Sequence, residues 1–237
     1  MKQSLTGQVV DTLKRAILTG EYLPGDRLPT LREMSDLYEV SRSVVNAAVV
    51  DLESNGYIRI VPTKWIEVAD WKAEGNLSIL SDLVRFGLLD AGQLEDLLSA
   101  RRFLELECVK LACTHASREE TAKLSALIIE EETENDPKKR ARYDLRFHDL
   151  VCKMSGNMVY GIIMNAFEDS SFPLIELFYR DPEVCGFVWE KHRRIADAIK
   201  AHQETEAETQ MRLLLEHGET ILKKILQQGG FELGGKV

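Results

Sequence analysis

Apolar residues recur every three or four positions over most of the chain, the spacing of helices that bury one stripe, and the interruptions mark the joints. From about Ser4 to Thr19, Val9, Val10, Leu13, Ala16 and Ile17 share a stripe that Gly20 closes. A Pro24-Gly25 turn and a Leu28-Pro29 step follow as an extended connector. Thr30 and Glu33 then make a capping box, which starts a short helix expected to carry Met34 and Leu37 inward. Tyr38 and Glu39 form a corner. Ser41 is a good N-cap, and Val44, Ala47, Ala48 and Leu52 recur at helical spacing until Gly56 stops the helix. Two β-rich runs, Tyr57 to Val61 and Trp65 to Val68, flank Pro62, Thr63 and Lys64 as a hairpin wing.

Two short capped helices meeting at a sharp corner, followed by a wing, make a winged helix-turn-helix. In that geometry the first turn of the second helix, with Ser41, Arg42, Ser43 and Asn46, projects away from the packed face and fits a DNA major groove. Arg42 is the expected base reader, because a guanidinium bonds a guanine edge with two donors. Thr63 and Lys64 at the wing tip are expected to touch the DNA backbone.

Past Trp71 to Asn76, a polar connector containing Gly75, the helical period runs on to Gln228. The expected helices are about Ser78 to Arg85, Ala91 to Ala116, Arg118 to Asn135, Lys138 to Met154, Met158 to Arg180, Glu183 to Ala201 and Thr205 to Gln228. Breaks are expected at Gly87, Gly156, Pro173, Pro182 and Gly186. The fold is therefore read as mainly α: a winged helix over 1–70, a linker over 71–77, an all-α domain over 78–228, and a glycine-rich flexible tail over 229–237.

Composition narrows the setting. A length of 237 residues suits two domains, and 44% hydrophobic with 29% charged residues is ordinary for a globular chain. The net charge of -9 means that DNA binding must rest on a local basic surface, to which Arg32, Arg42, Arg59, Lys64 and Lys2 are the candidates. Cys108, Cys113, Cys152 and Cys185 lack metal-type pairing and read as free thiols of a reducing compartment. No apolar run approaches the ~18 residues of a membrane span, and Met1 to Leu5 opens no signal pattern. The cytoplasm is the expected location, with no membrane partner.

The G-x-x-L-P connector (Gly25 to Pro29), the Arg32-Glu33 pair and the Ser41-Arg42-x-Val44 helix start together resemble the GntR family of bacterial regulators, over Val9 to Val68. The resemblance implies that Arg32 clamps a phosphate or base edge, that Arg42 reads sequence, and that Val44 belongs to the recognition start. Two positions depart from the family pattern. Glu39 stands where glycine is usual, and the wing tip lacks its glycines.

Segments of the second half, GNLSIL at Gly75 to Leu80, LSAR at Leu98 to Arg101, MSGNMVYG at Met154 to Gly161 and YRDPE at Tyr179 to Glu183, resemble the FadR subfamily. That likeness implies a homodimer on a near-palindromic operator and an effector domain taking a fatty acyl-CoA or fatty acid. Binding of the effector would shift the two DNA heads apart. By the same likeness the effector neighbourhood holds Arg101, Phe178, Leu213, Leu214, Glu216 and Ile221, with Phe178 and Ser171 in place of two tyrosines.

A second branch of that subfamily senses small carboxylates through a metal held by an Asp-x-x-x-His pair and two later histidines. Here Asp144 and His148 stand one helical turn apart, His192 sits at the third position, and the fourth reads Leu214, with His217 three residues on. No cofactor is required for the regulator reading. A divalent ion such as zinc on Asp144, His148 and His192 is one alternative, and a simple i,i+4 pair is another. Arg101 meets either an anionic ligand or Glu105 one turn on. Glu130, Glu131 and Glu132 read as a solvated acidic face. The competing class, a helical metal-dependent enzyme on the same residues, lacks a nucleophile or general base with supporting spacing.

Overall fold

The computed structural model describes residues 3–227, the side chains of Asp169, Pro182, Glu183 and Leu226 excepted. The tail from 229 to 237 and Lys2 lie outside the described residues. The chain divides into two compact units, Met1–Leu88 and Leu89–Val237.

In the first unit α1 (Leu5–Leu18) packs against α3 (Arg42–Ser54), and α2 (Leu31–Leu37) closes the other side of α3. The N-caps expected at Thr30 and Ser41 are present, the one at Thr30 as a complete capping box, and Ser4 caps α1 as well. Glu39 turns the corner at φ 54°, a left-handed conformation that costs a non-glycine residue roughly 1 kcal/mol. Gly56 ends α3 at φ 77°, and a β-carbon there would meet the carbonyl oxygen of Glu74 at 2.6 Å, so no other residue fits the turn.

β1 (Ile58–Val61) and β2 (Trp65–Val68) pair antiparallel with Ile58 opposite Val68 and Val61 opposite Trp65. The connector before α2 adds an extended segment to β2. Gly25 donates to Val68, Leu28 donates to Ile66, Val68 donates back to Asp26, and the Arg27 guanidinium lies 3.7 Å over the Trp65 ring.

Two expectations for these helices change. The buried face of α3 is Val45, Ala48, Val49 and Leu52, whereas Val44 is half-buried and Ala47 exposed. The run VVNAAVV holds two apolar registers one residue apart, and packing on α1 selects the second. In α2 only Met34 is buried, and Leu37, at the last position of the seven-residue helix, is 63% exposed.

The connector after the wing contains a single-turn helix, α4 (Trp71–Glu74), capped by Asp70. The next helix, α5 (Ser78–Arg85), lies in the first unit, where composition had put the linker's end and a second domain. Asp82 explains the difference. Its Oδ2 accepts from Lys14 Nζ and from the Tyr57 hydroxyl, each at 2.9 Å, and its Oδ1 accepts from Arg85 at 2.7 Å. Arg85 also grips Asp11 with two bonds of 2.6 and 2.7 Å, so α5 is bolted to α1 and to the start of the wing.

The second unit holds α6 (Ala91–His115), α7 (Arg118–Glu132), α8 (Pro137–Met154), α9 (Met158–Phe178), α10 (Pro182–Lys200) and α11 (Glu204–Gln227). α6 packs against α8 and α11, α8 against α9, and α10 against α7 and α11. Their bounds follow the hydrophobic period closely. Pro173 and Gly186, expected as breaks, lie inside α9 and α10, whose other turns hold the helix through them.

Candidate DNA interface and effector site

The first turn of α3 is built to meet something outside the unit. Ser41 Oγ accepts from Val44 N at 3.4 Å and lies 2.8 Å from Ser43 Oγ, so the cap fixes both hydroxyls at the helix start. Ser41, Arg42, Ser43 and Asn46 are all exposed, and so is Arg32 on α2. Among the described residues neither Arg32 nor Arg42 has an ion-pair partner, so both guanidinium groups are available to an anionic surface. Val44 sits under this tip, half-buried, and supports it.

The wing tip turns at Thr63, with φ 59°, and its hydroxyl donates to Pro62 O at 2.7 Å. Lys64 is exposed beside it, its ammonium 5.5 Å from the Trp65 ring centre. Arg59 is withdrawn from the expected basic surface, since Glu74 at 3.0 Å and Glu67 at 3.8 Å neutralise it.

In the second unit, one side chain of α10 meets two of α8. Asp144, His148 and His192 place one ligand atom each within 4.8 Å of one another, all buried. His148 Nε2 is 3.7 Å from Asp144 Oδ2, and His192 Nε2 is 3.8 Å from Asp144 Oδ1. The far nitrogens are engaged. His192 Nδ1 lies 2.9 Å from Glu131 Oε2, and His148 Nδ1 lies against Glu105 Oε2. Both rings therefore turn Nε2 toward Asp144, and His192 Nε2 is buried with no hydrogen-bond partner among the described residues.

Burial alone would lower the His192 pKa, but the Glu131 and Asp144 carboxylates outweigh it and hold the imidazole above its ordinary value. Burial likewise opposes the charge on Glu105, yet His148 and Arg101 bring its carboxyl down to about 2. Arg101 is answered by Glu105, with Nε to Oε1 at 3.0 Å, which is the internal of its two expected partners. Tyr179 donates to Asp144 Oδ1 at 3.0 Å, and its own ionisation is pushed well above the phenol range by burial and by Asp144.

The donor set fits a metal ion. A zinc ion with ~2.0–2.1 Å bonds sets tetrahedral ligands about 3.4 Å apart, and the Asp144 to histidine distances exceed that by only a few tenths of an ångström. An orphaned buried imidazole nitrogen opposite a carboxylate, with each ring oriented by a second carboxylate, is the arrangement that metal-binding histidines require. Glu131, expected on a solvated face, is instead completely buried as the orienting partner of His192.

A cavity of about 50 Å³ opens beside this cluster, with Arg101, Asp144 and His148 on one wall and Leu98, Ile175, Phe178, Leu214 and Leu222 on the other. The remaining effector candidates lie elsewhere. Leu213 is 42% exposed, Glu216 is exposed and Ile221 is half-buried on α11. None of the three lines the cavity, because α11 presents Leu214, Gly218 and Leu222 to it. His217 packs its ring 4.1 Å from that of Phe187 and stays out of the triad, so the helix has not slid to replace the fourth ligand.

Sequence reasoning missed Glu131, Tyr179 and the orienting role of Glu105. The single available signal was position, since Glu131 lies seven residues after the buried Leu124 on one stripe of α7.

Residues 5–68 match the gntR family of bacterial regulatory proteins, and residues 96–217 match the FCD domain. The chain is 28% identical to the HTH-type transcriptional regulator Mce2R of Mycobacterium tuberculosis, over 95% of its own length and 94% of the relative's. It is 27% identical to the HTH-type transcriptional repressor NanR of Salmonella newport, over 87% and 81% of the two chains. A structure of Lar, described as controlling expression of the Listeria monocytogenes agr system, superposes with a TM-score of 0.69. It is 16% identical and covers 95% of this chain and 99% of its own. E. coli McbR/YncC gives a TM-score of 0.53 at 18% identity, covering 95% and 100%.

Proposed function

We propose how a chain that belongs to the gntR family of bacterial regulatory proteins, with an FCD domain behind its winged helix, receives its signal. It is a DNA-binding transcription regulator with an effector-binding domain and not an enzyme, as the family and its relatives are. In the proposal the effector is a small carboxylate taken up in the cavity beside Asp144, His148 and His192. The unpartnered Nε2 of His192, aimed at Asp144 within a fully buried cluster, is the observation that carries it.

A divalent metal would be held by Asp144, His148 and His192, and when bound it would supply an open coordination position for a ligand oxygen. The chain's own residues set the rest. Glu105 and Glu131 orient the two imidazoles, Arg101 lines the cavity while paired to Glu105, and the leucines and Phe178 make the rest of the lining apolar. Glu131 favours a proton on His192 that a metal would have to displace, so uptake would strengthen as pH rises.

A fatty acyl effector keeps one support, the apolar wall from Leu98 to Leu222. The cavity volume favours the smaller ligand, because about 50 Å³ holds only a few water-sized groups. The protein acts as a cytoplasmic homodimer on a near-palindromic operator in this reading, since two-fold partners read inverted half-sites. The effector changes DNA affinity by binding one of two conformations more tightly than the other.

Elemental analysis and native mass spectrometry of the purified chain, beside His192→Ala, test the site. The expected result is about one divalent ion per protomer in the wild type and at least tenfold less in the variant, both measured at a temperature where circular dichroism shows the variant still folded. Retention of the ion by His192→Ala, or a metal-free wild type that takes up no zinc, overturns the metal reading.

A further inference from the structure

The side chain most out of place on the second unit is Phe103, which is 82% exposed near the middle of α6. α6 is the longest described helix, 25 residues, and it is the element against which α8 and α11 pack. Its buried stripe runs through Leu94, Leu97, Arg101, Glu105 and Cys108, and Phe103 stands on the opposite side. Around it on that outer face lie Asp96, Ser99 and Ala100 toward the N-terminus, and Leu106, Glu107 and Lys110 toward the C-terminus. A single exposed phenylalanine is ordinary. The order of its neighbours is not.

We propose that this outer face of α6 packs on the same face of a second copy, the two helices running antiparallel across a two-fold axis at Phe103. The proposal rests on the homodimer of the preceding section and names where that dimer closes. In an isologous antiparallel pair centred on Phe103, each residue meets the one equally far on the other side of the centre. Phe103 then meets Phe103 of the second copy, and Ala100 lies under Leu106, a small residue under a large one. Ser99 reaches Glu107, and Asp96 meets Lys110.

Every one of these pairs is complementary in size, hydrogen bonding or charge, and Asp96 and Lys110 lie symmetrically about the Phe103 direction on the helix wheel. Asp96 has no ion-pair partner among the described residues. Among the described residues Lys110 makes one ion pair, with Glu107 on the same face, and it also feels the Glu204 and Glu208 carboxylates of α11; Asp96 of the other copy would join the Glu107 pair. A crossing angle near 20° keeps the outer pairs within reach, because seven residues from the centre is about 10 Å along the axis. The opposed aromatic rings supply the buried anchor that such interfaces need, and the charge pairs fix the antiparallel direction.

Sedimentation of the full chain over a micromolar concentration series tests this with four variants: Phe103→Asp, Asp96→Lys, Lys110→Glu, and the last two combined. The wild type is expected at twice its 26.9 kDa. Phe103→Asp should raise the dimer dissociation constant by about thirty-fold or more, with an unchanged thermal melt of the monomer's helices. Asp96→Lys and Lys110→Glu should each weaken the dimer, and their combination should restore it, since the pair is exchanged rather than lost.

A wild-type dimer that Phe103→Asp leaves intact overturns the α6 interface while the homodimer stands. Failure of the double exchange to recover what the single ones lose overturns the antiparallel register. A wild type that remains a monomer throughout the series overturns the homodimer itself.

Discussion

Asp82 carries the first unit at the scale of one residue. It is 6% exposed and gathers Lys14, Tyr57 and Arg85 from three separate segments, and without it the buried Lys14 ammonium would keep only the longer contact to Asp51 at 3.9 Å. Breaking a buried pair from one side costs about 3–5 kcal/mol. Asp82→Ala should therefore lower the stability of the first unit by about 3 kcal/mol in urea unfolding followed by its tryptophans, and a loss under about 1 kcal/mol would show the cluster to be incidental. That role of Asp82 was not legible beforehand, because a lone aspartate on a short amphipathic helix reads as solvent-facing. Glu39 was legible by contrast. It stands where the resembled family usually has glycine, which implied a left-handed residue at the corner, and its φ is 54°. The same division runs through the effector site: Asp144, His148 and His192 were visible as spaced donors, while Glu131 was hidden in a run of three glutamates.

Elements were read well where a cap and a period agreed, and less well where two periods competed. α1, α6 and α8 begin and end within a residue or two of their expected bounds. In α3 the consecutive valines at 44 and 45 and at 49 and 50 offer two faces, and only the neighbouring α1 distinguishes them. The consequence can be measured. Val45→Ala removes a fully buried side chain and should cost about 2 kcal/mol, whereas Val44→Ala, on the half-buried flank, should cost clearly less. Equal losses in parallel denaturation curves would return α3 to the other register. α5 shows a different limit: its own stripe specified a helix but not which unit it would join, and that choice lies in ion pairs reaching 68 and 74 residues back along the chain.

For the molecule as a whole, the two units divide the work between DNA and signal, and each carries its own unpartnered chemistry. In the first unit it is a pair of exposed guanidinium groups at a capped helix start. In the second it is a buried imidazole nitrogen facing a carboxylate beside a small cavity, on a body whose longest described helix turns Phe103 outward. A chain of net charge -9 has no general attraction for nucleic acid, so its DNA affinity must come from the local geometry of α3, α2 and the wing. The claim that sequence is read by the first turn of α3 is tested most directly by selecting duplexes from a random pool with the full-length wild type. The affinity of the enriched duplex is then compared with that of a base-scrambled one, for the wild type and for Arg42→Ala, at one salt concentration. The account predicts a near-palindromic duplex bound at least about a thousandfold more tightly than the scrambled one, with that preference lost in Arg42→Ala while the fold and assembly are kept. A pool that yields no preferred sequence, or an Arg42→Ala variant that discriminates as the wild type does, would contradict it.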